Sequence, residues 1–461
     1  MTHTSASADA LPPYSRQDWC WQWMRSYPVD SAPIESTETL LLRGPLDVGA
    51  LRDALAEIET RHEALRLRLT APPGPDPSAV WPGQTLRPDP GRLTTVRVRP
   101  EDLTAEAERI LGRPLDLTDR MVRATLLRAG EREHLLVVQL HHLIFDGSCH
   151  HLFRALLAEA YTRRVAPGRS ATPGMRRTEP ESYTGLIRRE QEPEARSRVR
   201  KRAAALAAEL RAHGTREPLP GDAAAVVADT RFASVSLDLT ADRTRRLLRR
   251  SRAERVTPHT VLLAALARAV ATEYDRDRLV CSVYTHGRTS PAAHETLGLF
   301  SNVVSVPLET AGGPLPAYVR SVHEGVRRAS DTADLPFTDV ASRVLDRPSD
   351  DGAYCRSALA HLELRLTGVT GLLPVDQYRS TALAPEVEVI PQIITADHPV
   401  PVFNGLERAL ACAATLFTDM RLKAGALIGE LWFERGYHDA GRIARVAENY
   451  HDFVGRLSDD V

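Results

Sequence analysis

Between residues 134 and 161 the chain spells out a strand, a tight turn and a helix in direct succession, and this junction constrains the fold more than any other segment. Leu135, Leu136, Val137, Val138 and Leu140 form an almost unbroken apolar run that ends in His141 and His142. A run of this length without polar alternation describes a strand covered on both faces, as in a sheet flanked by helices. Past Gly147, Ser148 suits an N-cap, and Leu152, Phe153, Leu156, Leu157, Ala160 and Tyr161 recur along one helical face. The seven residues between strand and helix read His141-His142-Leu143-Ile144-Phe145-Asp146-Gly147, the pattern HHxxxDG.

That turn carries chemistry. Side chains alternate along a strand, so His141 and His142 address opposite faces and cannot chelate one metal as a pair. One imidazole is left for a working site, and with an ordinary pKa of about 6.5 it is mostly neutral at pH 7, the form a general base needs. Asp146 precedes a helix N-terminus, where a carboxylate is favoured, and an ion pair with an arginine is its expected task. Gly147 is expected to supply a backbone conformation or a close approach that a Cβ would forbid.

Elements of both periods flank the junction, which predicts an α/β fold. A helix is predicted over 48–62, with Leu51, Leu55, Ile58 and Leu65 at helical spacing. Residues 72–91, rich in Pro and Gly, predict an exposed loop, and 166–180 has the composition of a linker. A boundary at the linker gives an N-terminal lobe, 1–170, carrying the motif, and a C-terminal lobe, 171–461. The second lobe is expected to hold a helical stretch over 186–213, an alternating strand over 234–239 and two helices. The later of these starts at Thr257-Pro258, and a buried strand over 279–284 and a terminal helix over 439–457 follow.

Composition removes several function classes. A chain of 461 residues has room for two or three cores. Its net charge of −1 provides no global field to recruit nucleic acid or a membrane surface. Five scattered cysteines with no CxxC pair imply neither a disulfide framework nor a zinc site. The first ten residues lack an apolar signal core, and no stretch of about 18 apolar residues occurs. The expected location is therefore the cytoplasm, with no metal bound.

Several ordered motifs resemble those of the condensation domains of nonribosomal peptide synthetases, within the chloramphenicol-acetyltransferase-like superfamily. Residues 14–19, including Ser15 and Gln17, imperfectly match an opening Ser-x-x-Gln element. Arg61-His62-Glu63-Ala64-Leu65-Arg66 matches RHExLR, and 141–147 matches HHxxxDG completely. Gly287-Arg288, and Gly298-Leu299-Phe300-Ser301-Asn302, resemble the later GR and GxFxN elements. Asp334-Leu335-Pro336-Phe337 keeps part of an HQDxPFE-like element, with Thr332 and Ala333 where His and Gln are usual, and the last arginine-rich motif has no good counterpart.

The resemblance implies two chloramphenicol-acetyltransferase-like lobes in a V-shape with a central tunnel. His142 would be the catalytic base, and Asp146 would be structural, salt-bridged to Arg61 or Arg66. Ser15, Gly298, Phe300 and Asn302 would line the tunnel or the substrate. The donor would be a phosphopantetheine thioester on an acyl- or peptidyl-carrier protein acting in trans, the protein itself binding no cofactor. The product would be an amide or an ester, made by a free-standing condensation enzyme of secondary metabolism. Two alternatives stay open: an O-acyltransferase using acyl-CoA or a polyketide carrier, and a non-catalytic module that recruits a carrier protein.

Other features carry less. Cys149, two residues past the motif, reads as a small buried hydrophobe before it reads as a nucleophile. His150 and His151 fall in the first helical turn, where they face solvent or fill space. The arginine-rich run over 243–252 is first a solvated surface and second a dock for an acidic carrier or a phosphate. Trp19, Trp21 and Trp23 alternate as on a strand and suit core packing.

Overall fold

The computed structural model describes residues 10–25, 35–71, 81–170, 178–213, 232–346, 362–367, 383, 387–391, 416–435 and 438–459. In chain order the elements are α1 (Ser15–Arg25), β1 (Glu35–Arg43), α2 (Val48–Arg61), β2 (Leu67–Leu69), β3 (Gln84–Leu86), β4 (Leu93–Arg97), α3 (Leu103–Leu111), β5 (Val122–Arg128), β6 (Glu133–His141), α4 (Cys149–Val165), α5 (Tyr183–Glu190) and α6 (Pro193–Ala212). There follow β7 (Phe232–Ser236), α7 (Ala241–Ala253), α8 (Pro258–Glu273), β8 (Arg278–Thr285), α9 (Pro291–His294), β9 (Asn302–Glu309), α10 (Leu315–Ser330), α11 (Phe337–Leu345), β10 (Leu362–Thr367), β11 (Glu388–Pro391), β12 (Leu416–Lys423), β13 (Ala426–Glu434) and α12 (Ala440–Asp459).

Two compact units result. The first draws its described residues from Met1–Ser197, His286–Ser301 and Tyr378–Glu407, and the second from the remaining segments. The single boundary expected at residue 170 is thus replaced by a division in which three stretches of chain build the first unit. The linker composition at 166–180 marked a surface connection, but α5 beyond it packs back onto the first unit, and residues 171–177 lie outside the described set.

In the first unit a sheet of order β11-β1-β6-β5-β4 places β6 at its centre. β6 runs antiparallel to β1, with Glu35 opposite His141 and Arg43 opposite Glu133, and antiparallel to β5. Its apolar run is buried throughout, as a strand covered on both faces requires. Leu135 and Val137 join Leu41, Leu127, Ala107 and Ile110 in a small core beneath α3. Helix α4 is tied to the sheet by Glu38 of β1, fully buried, which accepts from Arg154 Nε at 2.7 Å and pairs with His150 Nδ1 at 2.5 Å. The Tyr161 hydroxyl of α4 accepts from the Asp47 backbone N–H at 2.9 Å, which ties α4 to the start of α2. His150 is therefore a side-chain partner of buried Glu38, where sequence position suggested a ring that faces solvent or fills space.

The second unit is built on a six-stranded sheet of order β7-β13-β12-β10-β8-β9. Helix α8 is apolar almost all round and correspondingly buried all round, packing with α10 and α12. Thr257 accepts from the Thr260 N–H at 3.1 Å with Pro258 in the first turn, as the sequence indicates.

Four local expectations change. The helical stretch 186–213 is two helices, because Pro193 cannot donate a helical hydrogen bond and serves instead as a first residue of α6. The loop over 72–91 contains β3, which pairs with β2, while 72–80 are outside the described residues. The tryptophan-rich segment is helix α1, not a strand. Trp19 and Trp23 are four apart, a spacing that a helix and a strand both place on one face, so the spacing could not decide. The strand over 234–239 is β7 with only Leu239 continuing as an isolated bridge.

Segment 286–301 closes on itself. Gly287 has φ +63°, and a Cβ there would overlap the carbonyl oxygen of Phe300. Gly287→Ala is expected to lower unfolding free energy by at least about 3 kcal/mol, since strain and backbone overlap act together. Urea unfolding of the purified variant against the parent checks it.

Candidate functional site

β6 ends at His141, and His142 opens a 3-10 turn that runs to Ile144. The two histidines therefore leave the strand one after the other, and their bonds differ. His142 Nδ1 lies 2.6 Å from the carbonyl oxygen of Phe145. A carbonyl can only accept, so Nδ1 carries a proton, and in the neutral ring the lone pair is then at Nε2. His141 Nδ1 accepts from the Leu143 N–H at 3.2 Å, which puts the His141 proton on Nε2. The neighbouring imidazoles thus hold opposite tautomers. Burial, with His142 close by, pushes the His141 pKa down to about 3, so this ring stays neutral.

Asp146 is fully buried and accepts from five groups. Its Oδ1 receives Ser148 N at 3.0 Å, Cys149 N at 3.2 Å and Arg288 Nη1 at 3.1 Å. Its Oδ2 receives Arg288 Nη1 at 2.8 Å, Phe300 N at 2.9 Å and Ser301 N at 3.1 Å. Burial would raise its pKa, but the Arg288 charge and these donors outweigh it and hold the carboxyl below the ordinary range. The carboxylate also caps α4, a task the Ser148 side chain does not perform.

The arginine partner is therefore Arg288, not Arg61 or Arg66. Arg61 pairs with Glu179 at an exposed position, and Arg66 donates to the carbonyls of Glu59, Arg87, Pro88 and Thr60. Sequence nearness of the RHExLR element to the motif in pattern order gave no information about which arginine the fold would bury. Arg288 Nη2 donates further to Cys149 Sγ, Thr296 O and Gly298 O, and its guanidinium lies 4.7 Å from the Phe300 ring centroid.

The RHExLR element instead fastens other backbone. His62 Nδ1 accepts from Leu297 N at 3.1 Å, and Glu63 Oε2 accepts from Thr184 N and Thr184 Oγ1. Ser15 donates through its hydroxyl and its N–H to Glu190, at 2.7 and 2.9 Å. Phe300 is buried, edge-on to Tyr14 and Tyr183. At Gly298 a Cβ would lie 2.5 Å from the Tyr183 ring. Asn302, in the second unit, donates to Ala333 O at 2.9 Å and Leu335 O at 2.7 Å. These four residues, expected to line a tunnel or substrate, are engaged in packing and hydrogen bonding within their own units.

Gly147 differs from its expectation too. It is exposed, its φ is ordinary, and a Cβ would find nothing within 4 Å. Neither strain nor a close neighbour in the chain demands glycine there.

Other candidates drop out on chemistry. Burial, with Asp146 nearby, pushes the Cys149 thiol up to about 12, and the thiol donates to Gly298 O at 3.2 Å, so no thiolate forms near neutrality. Among the described residues no cluster of three His, Cys, Asp or Glu side chains is placed to hold a metal ion, and no helix is long and apolar enough to cross a membrane. On α7, Arg245 and Arg246 pair with Asp242, and Arg250 with Glu254, so the basic run is partly neutralised where it stands. A concavity lined by Arg43, Ala129, Arg132 and Glu133 lies at the end of β1 and β6 opposite to His141.

Sequence inspection quoted Arg288 without giving it a role and passed over Gln17 as part of an imperfect motif. The signal for Arg288 was its place after a glycine of positive φ, which only the fold makes visible.

Comparison with known proteins is consistent along the chain. The model of the family described as Condensation domain matches residues 17–351. The nonribosomal peptide synthetase penN of Penicillium thymicola is 26% identical over 316 residues, 66% of this chain and 11% of that protein. The probable non-canonical nonribosomal peptide synthetase CymA of Salinispora arenicola (strain CNS-205) is 29% identical over 344 residues, 73% of this chain and 4% of that protein. The chain thus spans a small part of the length of these relatives. Among solved structures, the X-domain in its complex with OxyB from teicoplanin biosynthesis superposes with a TM-score of 0.71 at 22% identity, covering 99% of this chain and 95% of that one.

Two outcomes follow from this geometry. Asp146→Ala strands Arg288 in a dry interior, and a loss of about 3–5 kcal/mol in unfolding free energy is expected by chemical denaturation. His141 has a folded pKa of about 3 against about 6.5 unfolded, so the unfolded chain binds more protons between those values. Its contribution is complete above pH 6.5 and is lost as pH falls toward 3, with a slope of up to about 1.4 kcal/mol per pH unit. His141→Asn, whose Oδ1 can accept the same Leu143 N–H, is expected to flatten that slope by about one proton in urea titrations run from pH 7.5 to 5.

Proposed function

Because the chain belongs to the condensation-domain family, we propose that it moves an acyl or aminoacyl group from a carrier-bound phosphopantetheine thioester to an amine or alcohol, forming an amide or ester. The observation that carries this is the 2.6 Å bond from His142 Nδ1–H to Phe145 O. It fixes the tautomer in which Nε2 is basic, and it orients the ring as a backbone carbonyl orients a catalytic imidazole.

The reaction asks little more of the protein. A thioester is already activated, so no covalent enzyme intermediate is needed, in keeping with the inert Cys149 thiol. The acceptor's nitrogen or oxygen attacks the thioester carbonyl while His142 Nε2 takes its proton. Collapse of the tetrahedral centre expels the thiolate, which the imidazolium can protonate. A base so placed contributes about 10²–10⁴-fold. An alcohol depends on it more than an amine, which is nucleophilic when neutral. Gly147, bare and exposed beside the turn, leaves room for the thioester arm. The N–H groups of Ser148 and Cys149 are committed to Asp146, so oxyanion stabilisation is assigned to other donors.

A pure recruitment role has one supporting likeness, the fold shared with the X-domain that was solved with OxyB. Such a role has no use for a tautomer-fixed imidazole, and acyl transfer is therefore preferred.

The test pairs an acyl-phosphopantetheine thioester with parallel amine and alcohol acceptors and reads products by mass spectrometry. Wild-type protein is expected to form product, and His142→Ala to fall at least about 100-fold with the fold intact. A folded wild type that binds a carrier protein yet forms no product from any thioester would replace acyl transfer by recruitment.

A further inference from the structure

The two peptide units that meet at Leu143 are gripped from opposite directions. The Leu143 N–H goes to His141 Nδ1, and the Leu143 carbonyl accepts from Gln17 Nε2 at 3.0 Å. Leu143 follows His142 in the 3-10 turn, so Gln17, 126 residues away in sequence, holds the backbone that carries the base.

Gln17 is itself immobilised. Its second amide proton goes to Gln84 Oε1 at 3.1 Å, and its Oε1 accepts from Gln84 Nε2 at 2.8 Å and Tyr14 N at 2.8 Å. Both donors and both lone pairs are used. Reversing the amide would set Nε2 against the Tyr14 N–H and Oε1 against the Leu143 carbonyl, so only one orientation is possible. Gln84 is fixed in turn, through Nε2 to Pro12 O at 2.9 Å and through its backbone to Leu11. Both side chains are fully buried.

Burying two primary amides is costly unless every group is bonded, and apolar side chains of similar shape would fill the space at less risk. What the amides add is direction. We infer that Gln17, backed by Gln84, is a positioning residue for acyl transfer, holding the His142 turn through the Leu143 carbonyl. This rests on the base role proposed above for His142. Gln17 reaches neither substrate nor imidazole; it acts through the turn. Misplacing a catalytic group by about 1 Å can cost about 10²-fold in rate. Carrying no titratable proton, the amide pair grips the turn equally at any pH, which the His141 contact does not.

The test uses Gln17→Met, which keeps length and apolar volume but removes the donor. Two readouts are taken on the full chain: steady-state kinetics with an acyl-phosphopantetheine thioester, and the 15N signature of the His142 ring in 15N-histidine-labelled protein. Expected are a 10- to 100-fold drop in kcat, KM values for donor and acceptor within about two-fold, and a His142 ring signal shifted away from the pure Nδ1–H tautomer. Gln84→Met, which frees the Gln17 amide, is expected to produce the same pattern in weaker form and serves if Gln17→Met does not fold. A folded variant with unchanged kcat and an unchanged His142 signal overturns the inference, as does a loss confined to KM. If the wild type transfers no acyl group at all, the proposed function fails by that result, and the ring signal alone decides whether Gln17 holds the turn.

Discussion

The first unit depends on one buried charge pair. Asp146 and Arg288, 142 residues apart, lie in contact with almost no exposure to solvent. Burying two ions costs several kcal/mol each before their attraction repays it, so such a pair stabilises only when its remaining valences are met. Here they are met almost entirely by backbone: the start of α4, the Phe300 and Ser301 amides, and the carbonyls of Thr296 and Gly298. The pair therefore does more than bind its own members. It joins the motif turn, the first helical turn after it and the 286–301 segment into one body. An apolar replacement could match its volume but could not specify that three-way register.

Around that anchor, identical side-chain types are put to different ends. His141 uses a lone pair at Nδ1 to hold backbone, and burial keeps it neutral. His142 uses the proton at Nδ1 for the same purpose and so keeps its basicity at Nε2. The difference is one hydrogen bond in each case, to an N–H or to a carbonyl. Cys149 shows the same economy: a thiol beside a helix N-terminus could have been a nucleophile, yet burial, with the Asp146 charge nearby, keeps it protonated as a hydrogen-bonding spacer.

Much of this was legible in residue order. The strand read over 134–142, the helix after Gly147, the cap at Thr257 and the terminal helix follow from local periodicity and capping, and the structure has them, the strand at 133–141. The HHxxxDG pattern pointed to His142 and to a structural Asp146. What pattern could not supply was partnership. Arg61, Arg66 and Arg288 were all arginines in matching motifs, and nothing local distinguishes the one that becomes buried. Ser15, Gly298, Phe300 and Asn302 were assigned to a substrate path by resemblance, while their contacts are with Glu190, Tyr183, Tyr14 and the carbonyls near Ala333.

The sequence by itself determined the α/β alternation and the family, because short-range periodicity and a compact motif encode them within about ten residues. Tertiary structure alone decided which arginine neutralises Asp146, which tautomer each histidine adopts, that the first unit gathers three separate stretches of chain, and that Gln17 reaches the motif turn. The tautomers follow from bonds two and three residues away that form only once the turn is folded; the ion pair and the Gln17 contact are set by desolvation and hydrogen-bond direction between groups more than 100 residues apart. Neither quantity exists until the chain has folded and removed the water.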